Sequence, residues 1–307
     1  MNILHDYKKE IFELEKINEL AVTNPQVLIE NAEDLYRRQV NEVVHDITTH
    51  GKYKIILLAG PSSSGKTTTS NLIRAGLKNA GYESLVISLD DFFLNRDQTP
   101  RLPNGDYDYE NIKALDLDYL NQFVDDLFLK GKGLMPEYDF VTGSRKKDYV
   151  EIETKQNTIV IFEGIHALNP ILFTKHSDSM YKIYICVNTN FDYNDQLLMP
   201  AQKVRMMRRL IRDYYHRGAS LDDTFKMWPN VLAGEDLYIK PYKNTADYLI
   251  NSTHAYEPMM YAETLLPLLK QNSNNQAKLL ANMLKKCEKL SPELLPENSL
   301  LHEFLDK

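Results

Sequence analysis

Only two cysteines, Cys186 and Cys287, occur in the 307-residue chain, far apart from each other. A disulfide framework and a cysteine metal cluster are thereby excluded, and a reducing compartment is the plain expectation. The eight histidines are scattered without ligand spacing, and His166 and His216 are the only two that stand as candidates for chemistry. Basic excess is also missing: the net charge is −7, so no global positive field exists to gather nucleic acid or an anionic membrane. No apolar run approaches the roughly 20 residues of a membrane span, and the first ten residues lack a signal-peptide core. The expectation is a cytoplasmic protein with no nucleic-acid and no membrane partner. Internal repeats and long low-complexity stretches are absent too.

What the chain does have is Gly60-Pro-Ser-Ser-Ser-Gly-Lys-Thr67, which fits the phosphate-binding pattern G-x-x-x-x-G-K-[ST] at every fixed position. Small residues let successive backbone N–H groups turn inward around phosphates, Lys66 can reach the β- and γ-phosphates, and the Thr67 hydroxyl is placed for Mg²⁺. The expected nucleotide cradle is Gly60, Ser62, Ser63, Ser64, Gly65, Lys66, Thr67 and Thr68. Its context has the right order. Tyr53–Ala59 has the length of a buried parallel strand. After the loop, Thr68–Ala80 carries Leu72, Ile73, Ala75 and Leu77 on a helical period, with Gly81 as the stop. The N-terminus of that helix adds partial positive charge to the anion site.

Further strands are written in Ser84–Leu89, Thr158–Phe162, Tyr181–Val187 and, more weakly, Ala246–Asn251. Helical or long segments separate them, which predicts an α/β chain of the P-loop NTPase fold: a doubly wound, mainly parallel sheet with flanking helices. With 43% hydrophobic and 26% charged residues the chain can bury a sizeable core. The expected organisation is an N-terminal helical extension over 1–50, a P-loop domain over 51–270 with an arginine-rich helical lid at about 203–236, and a helical tail over 271–307.

Two acids follow apolar strands directly: Asp90 after Ser84–Leu89, and Glu163 after Thr158–Phe162. Open α/β sheets bind ligands at that strand edge, and phosphoryl transfer needs a bridging metal and a group that orients the attacking hydroxyl. Arg205, Arg208, Arg209 and Arg212 fall at i, i+3, i+4 and i+7, one face of a helix, with Arg217 just beyond. The only acid from 203 to 217 is Asp213, so the stripe is largely unpaired within its own segment and reads as a lid whose arginines stabilise a transferring phosphoryl group. Tyr138-Asp-Phe-Val-Thr-Gly-Ser-Arg145 joins aromatic and polar side chains that suit either a stacking surface or a core.

Together these pieces resemble the uridine kinase and phosphoribulokinase family of P-loop kinases. The matching residues are Gly60–Thr67, Ile87–Phe93, Asp106–Tyr109, Tyr138–Phe140 with Ser144-Arg145, Phe162–Ile165, Arg208–Asp213, His216–Gly218 and Lys243–Asp247, in family order. Gly164–Pro170, Trp228-Pro229 and Pro296–Phe304 resemble a bacterial uridine kinase-like branch in which a tRNA-synthetase-type domain often precedes the kinase; that domain is expected to be lacking here. The resemblance implies a phosphotransferase that moves the γ-phosphate of ATP or GTP, with Mg²⁺, to a hydroxyl of a small molecule such as the 5′-hydroxyl of uridine or cytidine. It implies Asp90 as base, with Lys66, Arg209 and Arg212 in the catalytic set. Arg208 and Arg217 would join the nucleotide site, and Thr67, Asp90 and Glu163 the metal site. Acceptor binding would fall to Asp108, Tyr138, Phe140, Arg145 and Arg205.

One position departs from the pattern. Uridine-cytidine kinases carry a base-reading histidine where this chain has Gly143, and a histidine restored there is expected to sharpen preference for pyrimidines. The departure keeps open a sibling kinase for a sugar phosphate or another small alcohol. A nucleotide-binding regulatory protein is a further alternative, countered by Asp90 and the long acceptor-side segment 94–145. Nucleotide preference and association between copies are left open by the sequence.

Overall fold

Ile55–Ala59 is buried at every position, and a strand with no polar face belongs where both faces are covered. The computed structural model describes residues 9–173 and 177–305. In chain order they form β1 (Glu10–Glu13), α1 (Leu14–Thr23), α2 (Pro25–His50), β2 (Ile55–Ala59), α3 (Lys66–Asn79), β3 (Ser84–Ser88) and α4 (Leu117–Lys130). Two small antiparallel ribbons follow, β4 (Lys132–Met135) with β7 (Val150–Glu153), and β5 (Tyr138–Asp139) with β6 (Ser144–Arg145). The chain continues through β8 (Ile159–Glu163), β9 (Met180–Cys186), β10 (Thr189–Tyr193), β11 (Gln196–Met199), α5 (Ala201–His216), α6 (Leu221–Tyr238) and β12 (Tyr248–Asn251). It ends with α7 (Glu257–Thr264), α8 (Leu266–Gln271), α9 (Asn275–Leu284) and α10 (His302–Leu305).

The central sheet has the order β12-β9-β2-β8-β3 and is parallel throughout. Side chains alternate across it. Ile56 and Leu58 point to one face, against Ile73 and Leu77 of α3 and Val43 and Ile47 of α2. Ile55, Leu57 and Ala59 belong to the other face, packed with Leu120, Phe123 and Val124 of α4. The doubly wound expectation is met, and all five expected strands are in this sheet. Helix ends follow local chemistry: the Asn24 side chain accepts from the Val27 N–H ahead of Pro25, and Ser220 and Asp223 form a reciprocal capping box.

The expected partition at residues 50 and 270 does not separate cores. Leu28, Tyr36 and Val43 of α2, and Leu280, Leu300 and Phe304 near the C-terminus, belong to the same apolar cluster as the sheet. The first fifty residues, expected to be helical throughout, also include a strand, β1, which pairs in parallel with β10. No described helix is long and apolar enough to cross a membrane.

The expected lid also needs correction. Helix α5 is buried from Val204 to Ile211, and its anchor is Arg208, expected in the nucleotide site but fully buried here. Its guanidinium donates to both Glu257 oxygens at 2.8 and 3.0 Å, to the Ser252 hydroxyl at 3.1 Å and to the Ser252 carbonyl at 2.6 Å. Tyr261 donates to the same carboxylate at 2.8 Å. The partners that seemed missing within 203–217 arrive from about fifty residues away in sequence, where α7 begins. Removing one member of such a buried pair leaves the other uncompensated. Arg208→Ala is expected to cost about 3–5 kcal/mol in urea unfolding. The double replacement Arg208→Met with Glu257→Leu is expected to cost less than Arg208→Ala alone.

Candidate active site

Between β2 and α3 the chain turns through Ser63 and Gly65, both in the left-handed region at φ 60° and 92°. A serine held there is locally strained, and the turn draws the Ser63 and Ser64 hydroxyls inside, buried and without hydrogen-bond partners. Lys66 donates to the Pro61 carbonyl across the loop at 3.2 Å. Strand register brings the acids in. Leu58 of β2 and Ser88 of β3 both stand opposite Glu163 at the end of β8, and Asp90 follows β3 by two residues. Thr67 donates to Glu163 at 3.3 Å.

Burial lifts the Asp90 carboxyl above its usual range, against the opposing charges of Lys66, Arg217 and Arg212. Burial pushes Glu163 to about 7; Asp90 and Glu303 push the same way and Lys66 opposes. Asp91 is turned elsewhere, accepting the Tyr138 N–H at 3.2 Å. Only half of the arginine stripe reaches the loop: Arg209 and Arg212 donate to the Ser62 hydroxyl at 2.9 and 3.4 Å. Asp213 holds Arg209 at 2.7 Å and Arg212 at 3.1 Å, with Arg217 farther out at 3.7 Å. Burial and the neighbouring Arg217 bring Arg212 down to about 10. Thr67, Asp90 and Glu163 offer a hydroxyl and two carboxyls, hard oxygen donors that suit Mg²⁺. Both carboxyls are held above their ordinary range by burial, so an added positive charge would relieve them. Among the described residues no cluster of three or more His, Cys, Asp or Glu could hold a metal ion, so the remaining ligands would be phosphate and water oxygens.

On the acceptor side, Asp108 is buried and takes hydrogen bonds from Asn111 at 3.1 Å and Tyr238 at 3.4 Å. Tyr138 is buried against Phe93, whereas Phe140 is 53% exposed with the Arg217 guanidinium 6.0 Å from its ring. Two expected acceptor ligands are engaged in the fold. Arg145 donates to the Phe92 and Phe93 carbonyls and to Asp116, bracing the segment that carries Asp90. Arg205 pairs with Glu235 beside Trp228, leaving Nη1 buried without a partner. Gly143 lies at φ 71°, and a Cβ there would meet the Arg96 guanidinium at 2.5 Å. A histidine at 143 would therefore strain the turn through its positive φ and displace the Arg96 guanidinium, the movable end of a flexible side chain.

Glu110 escaped sequence reasoning, and His166, one of the two candidate histidines, turns out to be enclosed. Glu110 has an oxygen without a partner and is pushed by burial to about 7, with Arg209, Lys66 and Arg205 opposing. The His166 ring is buried, and burial brings its pKa down to about 4 against the opposing pull of the Glu110 backbone. The His166 ring stands 6.3 Å from that of Tyr238. The i, i+2 spacing of Asp108 and Glu110 was a usable signal; nothing in the sequence marked His166 as enclosed. Glu303, which contacts Thr68, lay hidden in the tail.

The profile of the Phosphoribulokinase / Uridine kinase family matches residues 55–257. The uridine kinase of Bacillus subtilis (strain 168) is 27% identical over 228 residues, covering 73% of this chain and 99% of that protein. The uridine kinase of Staphylococcus aureus (strain JH9) is 30% identical over 198 residues, covering 64% and 86%. Among solved structures, a "possible uridine kinase" from Bacillus stearothermophilus aligns with TM-score 0.47 at 16% identity, covering 70% and 98%. D-glycerate 3-kinase from Cryptococcus neoformans aligns with TM-score 0.46 at 17% identity, covering 67% and 89%.

Glu110 yields a pH test. Its folded pKa of about 7 exceeds the ordinary 4.5, so the folded form binds more protons and stability falls as pH rises between those values. Glu110→Gln mimics the neutral acid. Without ligands it is expected to match the parent near pH 4.5 and to be more stable at pH 8, by on the order of 1–3 kcal/mol in denaturant unfolding.

Proposed function

The chain belongs to the Phosphoribulokinase / Uridine kinase family and is a small-molecule kinase; on that premise we propose that it transfers the γ-phosphate of ATP to the 5′-hydroxyl of a ribonucleoside. The observation that supports this reading best is that Asp90, Lys66, Glu163 and Arg212 act on one another at one sheet edge, with a second carboxylate, Asp108, buried and hydrogen-bonded to Asn111 and Tyr238. Asp90 takes the proton as the hydroxyl oxygen bonds to phosphorus and the bond to the departing ADP breaks. Burial raises its pKa above that of an ordinary aspartate, the direction that makes a carboxylate a stronger base. Lys66, Arg209 and Arg212 set positive charge against the phosphoryl oxygens. Thr67, Asp90 and Glu163 would hold Mg²⁺, which when bound neutralises phosphate charge. A cytoplasmic location fits this chemistry, since ATP is the donor.

Asp108 supplies the ribose reading. A carboxylate can accept from two adjacent hydroxyls, and Asn111 and Tyr238 hold this one in place. Base reading is expected to be loose, because Arg96 fills the space in which a side chain at Gly143 would stand. That same observation favours, as second reading, an acceptor that is another small alcohol.

Incubation with ATP and a panel of ribonucleosides, deoxynucleosides and sugar phosphates, with product analysis, separates the readings. The expected product is a ribonucleoside 5′-monophosphate, with 2′-deoxyuridine roughly 10- to 100-fold poorer in kcat/KM than uridine. Phosphorylation of a sugar phosphate alone would overturn the nucleoside assignment and keep the kinase. Asp90→Asn is expected to lower kcat by roughly 10²- to 10⁴-fold with ATP affinity retained, and Asp91→Asn to do much less to kcat. Equal losses would mean that the wrong carboxylate has been assigned.

A further inference from the structure

The N-terminus of α3 carries amides that the helix itself cannot satisfy, and in a P-loop these face the α- and β-phosphates. At one of them stands an anion from the other end of the chain. Glu303 Oε2 accepts from the Thr68 N–H at 3.3 Å and from the Thr68 hydroxyl at 2.9 Å. The placement is built. Leu300, Leu301 and Phe304 are fully buried, Ser299 shares a 3.0 Å hydrogen bond with Tyr256, and the Phe304 ring lies 5.2 Å from the Arg208 guanidinium. Leu300 also presses on the loop: a Cβ at Gly65 would come within 2.3 Å of its Cδ1. The apolar residues thus fix the segment, while Glu303 between them is only half-buried and can swing.

Resting on the nucleotide reading given above, we propose that Glu303 occupies the place of a nucleotide phosphate on Thr68, so that the C-terminal segment sets the nucleotide affinity of the site. Two anions cannot share one amide and one hydroxyl. A phosphate must therefore displace the carboxylate and break two charge-assisted hydrogen bonds before making its own. The Glu303 charge would also face the incoming phosphates at close range, where like charges oppose binding. The contact acts as a self-supplied competitor that holds the affinity below what the cradle alone would give.

The test is direct titration of ADP with Mg²⁺ into the full chain and into Glu303→Gln and Glu303→Ala, which requires no phosphoryl transfer. Both variants are expected to bind ADP about tenfold more tightly. The acceptor KM is expected to stay unchanged. Unchanged or weaker ADP binding by folded variants would overturn the proposal, since a purely structural contact lowers Tm and affinity together. If ADP binds neither parent nor variants, the nucleotide reading itself falls; if ADP binds but no alcohol is phosphorylated, only the acceptor assignment does.

Discussion

Charge held at the C-terminal edge of one parallel sheet is the constraint on which the rest of the molecule depends. Strand β2 must be buried on both faces, so the turn that follows it opens at the sheet edge, and its neighbours β8 and β3 end beside it with Glu163 and Asp90. Carboxyls in that position lose water, and burial lifts both of them. Lys66, Arg212 and Arg217 oppose the shift at Asp90 without cancelling it. An arrangement so poised favours further charge of both signs, a triphosphate with its cation, and it accounts for an edge that is costly to keep without ligand.

The body around that edge holds the arginines in two different employments. Arg208 and Arg205 are drawn into the protein by Glu257 and Glu235, and they tie α5 to α7 and to α6. Arg209 and Arg212, on the same helix, are turned by Asp213 toward Ser62 and the phosphate loop. A guanidinium pinned by a carboxylate keeps its direction, so the inward pair positions the outward pair. The long N-terminal helix adds a second brace: Tyr36 shares a 2.6 Å hydrogen bond with Thr69 of α3, and Glu33 meets Tyr256 and His254 under the same helix. Burial alone would raise Glu33, yet its contacts with His254, Tyr256 and Ser299 bring its pKa down to about 2.

Legibility in the sequence followed the range of the interactions involved. The phosphate loop, the five strands and the acids after two of them rest on contacts within a few residues, and their spacing announces them. Asp91 against Asp90 could not be decided that way: both follow one strand, and only the Tyr138 amide that captures Asp91 distinguishes them. The arginine stripe misled for a related reason, because its apparent lack of partners held only within its own segment.

The sequence by itself determined the α/β class, the phosphate-binding turn and that acids follow two of the strands, since backbone periodicity and a fixed octet carry that information locally. Tertiary structure decided which arginines face the loop, that Arg96 lies against Gly143, that Glu110 and His166 are enclosed near the cradle, and that Glu303 reaches Thr68 from 235 residues away. Each of these depends on which groups are left to satisfy a buried charge or an unpaired amide. That is settled only when distant segments pack together and water is removed.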